Sequence, residues 1–100
     1  MDRKHYNELI LLSQKMYDSA TDQLKEYLEN KYADAGADTM EQQMEDYLFV
    51  TEETSAYLLG NAIALLDPAS QEEEIKTFTE TLRRVIARQM QKAGGDLPPS

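Results

Sequence analysis

His5 is the one histidine in the chain, and it stands between Lys4 and Tyr6 with Glu8 one helical turn on. A histidine oriented by a carboxylate is the minimum for general-base work. A surface histidine near a helix start is the plainer reading of the same residues, and the one preferred here. The chain has no cysteine, so disulfides, thiolate metal sites and a cysteine nucleophile are excluded. With a single histidine it also cannot furnish the usual structural zinc set. Carboxylates are plentiful, notably Glu41, Glu45 and Asp46, and the run Glu72 to Glu74. Neither group has the alternating oxygen ligands and glycine of a calcium loop. Consecutive glutamates on a helix diverge by about 100 degrees each, so a run of three does not converge on one ion. None of the serines lies in a Gly-x-Ser-x-Gly turn. Gly60 falls inside a helical pattern and Gly94-Gly95 ends one, so no phosphate-binding loop is expected. No catalytic residue, metal or cofactor is therefore expected.

Charge is the stronger signal. The 100 residues carry 19 acids against 10 bases, a formal net charge of -9. Between Lys31 and Lys76 lie 44 residues without a Lys or Arg, and they hold 11 of the acids. Such a surface keeps a protein in solution. It also suits a basic protein partner. The carboxylates expected to make that contact are Glu41, Glu45, Asp46, Glu52 and Glu53, taken as outward-pointing and without a local basic partner. Direct nucleic-acid binding is not expected, because it draws on Lys and Arg to displace counterions. An anionic membrane repels such a chain for the same reason. The longest apolar run near the start, Leu9 to Leu12, is far shorter than the roughly 20 residues of a membrane span. A cytoplasmic protein is expected.

Helices must position these groups. The first segment, about Arg3 to Ala33, places Tyr6, Leu9, Ile10, Met16, Tyr17, Ala20, Leu24, Tyr27 and Leu28 on one stripe. Gly36 follows as a candidate left-handed terminator. The second segment opens at Asp38, with Glu41 three residues on as a capping box. It runs as one helix, with a kink or split near Thr51 as the competing reading. The third begins at Asp67-Pro68, where an acceptor side chain precedes a proline suited to the first helical turn. Ser70 with Glu73 offers a second capping box. Ile75, Phe78, Leu82, Val85, Ile86, Met90 and Ala93 make the clearest stripe, with Leu82 expected in the core. No strand pattern competes. The expected fold is all-α, an elongated antiparallel three-helix bundle forming one domain over 1–94, with 95–100 as a flexible tail.

Four apolar residues miss their own stripe: Leu11, Phe49, Tyr57 and Ile63. They are the expected self-association surface of a homodimer. The methionines read mainly as core filling, and Tyr32 and Tyr57 as exposed interface anchors. The function expected is a small acidic helical protein-interaction module: a regulator, adaptor or accessory subunit. A nucleic-acid mimic that inhibits a DNA- or RNA-binding protein is the alternative. An enzyme whose site a partner chain completes is the weakest.

Overall fold

A computed structural model of the chain describes residues 1–94. It has three α-helices: α1 (Arg3–Lys31), α2 (Met40–Ile63) and α3 (Pro68–Gly94), with a short 3-10 turn, Ala37–Thr39, before α2. No strand occurs among the described residues. The all-α, three-helix expectation holds. The expected tail, 95–100, lies outside the described residues. The chain divides into two compact units, Met1–Thr54 and Ser55–Ser100, and the division falls inside α2.

The first unit starts on a cap. Asp2 is extended, and its carboxylate accepts the His5 N–H at 2.8 Å. The Asp2 carbonyl takes the Tyr6 N–H at 3.0 Å as the first helical bond, and the carboxylate satisfies one of the free donors of the first turn. α1 closes at Lys31, two residues before the expected Ala33, where Tyr32 leaves helical geometry while still donating its N–H to Leu28 O. Gly36 does not terminate the helix in the left-handed region. Its φ is -86° and its ψ -174°, an extended conformation open to any residue. A Cβ there would lie 3.0 Å from Asp38 Oδ1, the end of an exposed side chain that can turn aside.

The expected Asp38–Glu41 capping box also gives way to a different start. The chain already turns over Ala37–Thr39, which puts Asp38 inside the turn. Thr39 takes over as the anchor: its N–H and its hydroxyl both donate to Gly36 O, at 3.1 and 2.8 Å. The Gln43 side-chain amide then donates to Thr39 Oγ1 at 3.0 Å. Downstream, α2 is a single uninterrupted helix through Thr51. Thr51 does not cap a new helix. Its hydroxyl donates backwards, to Tyr47 O at 2.9 Å and Leu48 O at 3.1 Å, which satisfies the side chain without opening the backbone ladder.

In the second unit, α3 starts where expected. Pro68 is its first residue, and the Asp67 carboxylate lies 3.4 Å from the Ser70 N–H. The Asp67 carbonyl accepts the Gln71 N–H at 2.9 Å, and the Gln71 side chain reaches back to Leu66 O at 2.9 Å. Hydrogen bonds from Ser70, side chain and then backbone, hold the Asp67 carboxyl below its usual value of 3.8. Because Pro68 opens the helix, Ser70 sits within its first turn and not at a cap, which leaves the Ser70–Glu73 box without a role.

The stripes form at the expected spacings, yet little of them is covered. Leu24, at 8% exposure, is the one buried side chain among the described residues. Leu28 beside it is half-buried. Leu82, expected in the core, is 46% exposed. The helical periodicity fixed which side of α3 is apolar; it could not say what lies against that side.

Candidate functional site: the start of α2 and the surfaces around it

Five of the eleven acids of the acid-only stretch lie in α2. Glu41 and Glu45 are one turn apart near its N-terminal end, and Glu52 and Glu53 lie two turns further on. All four are exposed, and none takes part in an ion pair among the described residues. The start of α2 is a favourable place for Glu41, because the unpaired N–H groups of a first turn carry partial positive charge.

Asp46 behaves otherwise, which corrects its reading as an outward carboxylate without a basic partner. Its side chain is 18% exposed and turned toward the end of α1. The Tyr32 hydroxyl donates a short hydrogen bond to Asp46 Oδ2. The Gln42 amide donates to Oδ1 at 2.8 Å, and Lys31 Nζ lies 3.7 Å from Oδ2. Those donors, Tyr32 first and then Gln42, hold the Asp46 carboxyl below its usual 3.8. The same bond to Asp46 pushes the Tyr32 phenol above 10.0. Lys31 rises above 10.5, chiefly through Tyr27. Its ammonium stands 5.8 Å from the Tyr27 ring centre and 5.4 Å from that of Tyr32, within cation–π range. Tyr32 is therefore half-buried in this clasp and not an exposed anchor. Beside the clasp runs a shallow groove within the first unit, lined by Thr21, Leu28, Tyr32, Ala33, Gln43 and Tyr47 among others.

The clasp joins two residues at the end of α1 to one in α2, across 14 positions from Tyr32 to Asp46. Helical spacing alone carried no sign of it. The only available signal was that Lys31 is the last base before the acid-only stretch.

The other sequence candidates are placed as follows. His5 Nδ1 is 3.9 Å from Glu8 Oε2, and both side chains are exposed. That separation is beyond hydrogen-bond reach, so Glu8 does not hold the imidazole by a hydrogen bond here. Among the described residues no group of three or more His, Asp or Glu side chains is placed to hold a metal ion. Leu11, Phe49 and Tyr57 are exposed, and Ile63 is half-buried at the last turn of α2. They are not set apart from the stripes as expected, because most stripe residues are exposed as well. No described helix is long and apolar enough to cross a membrane. No family model, curated protein or solved structure matches the chain.

Proposed function

We propose that this chain is a small acidic protein-interaction module, a cytoplasmic regulator, adaptor or accessory subunit that acts by binding another protein and works as a homodimer. The observation that carries this reading is the exposure of large apolar side chains on all three helices while Leu24 alone is buried among the described residues. Single exposed apolar residues are ordinary on any protein. Rows of them at helical spacing are the surface by which helices engage other chains. The acidic composition supports a partner with a basic surface.

Two surfaces are on offer, and one experiment separates them. The chain is used as bait in an extract of its host at low and high salt, beside two variants. One carries Glu41→Lys, Glu45→Lys and Glu52→Lys; the other carries Phe49→Ser and Tyr57→Ser. An acidic contact predicts capture that falls steeply with salt and is lost in the first variant. An apolar contact predicts capture that survives salt and is lost in the second. Capture unchanged in both variants, or absent from the parent, removes the reading.

A further inference from the structure

Within its own unit, α3 offers an apolar stripe that no described residue covers. Its side chains range from 41% exposed at Phe78 to 69% at Met90, with Ile75, Leu82, Val85 and Ile86 between. From Ile75 to Met90 the stripe extends about 23 Å at 1.5 Å per residue. Ile75, Phe78, Leu82 and Val85 are spaced three, four and three apart, the seam along which two helices pack knobs into holes.

Charge along α3 is split. Glu72, Glu73 and Glu74 lie toward its start; Arg83, Arg84, Arg88 and Lys92 lie toward its end. Each set suits the helix dipole at its own end. None of these seven residues makes an ion pair among the described residues. Side by side in parallel, two such helices would set glutamates against glutamates and arginines against arginines. Antiparallel, each acidic end meets a basic one.

We infer that α3 pairs antiparallel with α3 of a second copy of this chain, in a register centred at Glu80 and Thr81. The seam is self-complementary there. Ile75 faces the partner's Val85, and Phe78 faces the partner's Leu82. Glu74 then lies beside the partner's Arg88 on the flank of the seam, and two-fold symmetry repeats each contact. The inference rests on the interaction reading above and moves the self-association surface from Leu11, Phe49, Tyr57 and Ile63 to α3.

Charge reversal tests both pairing and orientation. Sedimentation equilibrium of the full chain over a wide concentration range gives the parent's mass. Glu74→Arg and Arg88→Glu are then measured singly, mixed in equal amounts, and combined in one chain. The pairing predicts a dimeric parent, with each single variant associating roughly tenfold more weakly because two attractive contacts become repulsive. It predicts recovery in the mixture, where one chain has Arg at both positions and the other Glu, and in the double variant. Circular dichroism of each variant confirms that the helices persist. A monomeric parent overturns the pairing. So does a dimer that neither reversal affects, as parallel helices would give, since there each reversal only exchanges one pair of like charges for another. A monomeric parent that still captures a protein through Glu41, Glu45 and Glu52 overturns the α3 pairing and the homodimer and leaves the binding of another protein standing.

Discussion

Asp46 accepts hydrogen bonds from both Tyr32 and Gln42 and sits near Lys31, and each of these favours its ionised form. A carboxyl whose folded value is depressed adds stability that is present above its unfolded value, here 3.8, and is lost as pH falls through the lower folded one. Tyr32 has the opposite sign. Its raised value adds stability that is present below 10.0 and is lost as pH rises through the folded value. The clasp between α1 and α2 should therefore hold across neutral pH and loosen at both extremes. Replacing Tyr32 by Phe removes the leading donor and should move the Asp46 carboxyl up toward 3.8, read by NMR titration of its side-chain carbon. An unmoved titration would show that Tyr32 does not hold the carboxylate. Gly60 gives a second residue-scale expectation. It lies inside α2, and a Cβ there would meet nothing within 4 Å. Gly60→Ala should raise stability by about 0.5–1 kcal/mol through helix propensity alone, checked by urea denaturation. A loss would reveal a close contact at that position.

Among the elements, α3 was the most legible in the sequence, because its start is fixed by a local device. Asp67 supplies an acceptor, Pro68 fits a first turn, and the apolar residues recur without a break from Ile75. The start of α2 was misread for an equally local reason. Asp38 and Glu41 satisfy the spacing of a capping box, but Thr39 and Gly36 make a tighter turn that encloses Asp38, so Asp38 does not stand at the cap. The α1–α2 clasp was illegible because it depends on how one turn aims two helices. Leu24 and Leu82 were alike by periodicity, and the structure separates them. Leu24→Ala should cost about 2–5 kcal/mol in the folded chain, as for a buried leucine. In the dissociated chain, Leu82→Ala should cost about 1 kcal/mol or less, since its side chain is nearly half exposed. Urea denaturation at low protein concentration compares the two. Equal losses would mean that the chain covers Leu82 itself.

At the scale of the whole molecule, the opposition is between net charge and apolar surface. A formal charge of -9 resists association, while rows of exposed apolar side chains favour it. Added salt screens the repulsion without weakening apolar contact. If self-association is apolar at its seam, moderate salt should strengthen it until screening of the Glu74–Arg88 contacts takes over, and sedimentation across a salt series would show a maximum. A steady fall with salt would instead identify charge pairing as the main attraction. The scarcity of buried side chains has a calorimetric consequence. The heat-capacity increment of unfolding arises chiefly from apolar surface newly exposed to water, and averages about 12–15 cal/mol/K per residue for globular proteins. The described residues hide little beyond Leu24 and so have little such surface to release, and the increment of the dissociated chain should fall well short of that average. The missing part should appear as a negative heat-capacity change when two copies meet, and the melting temperature should climb with protein concentration.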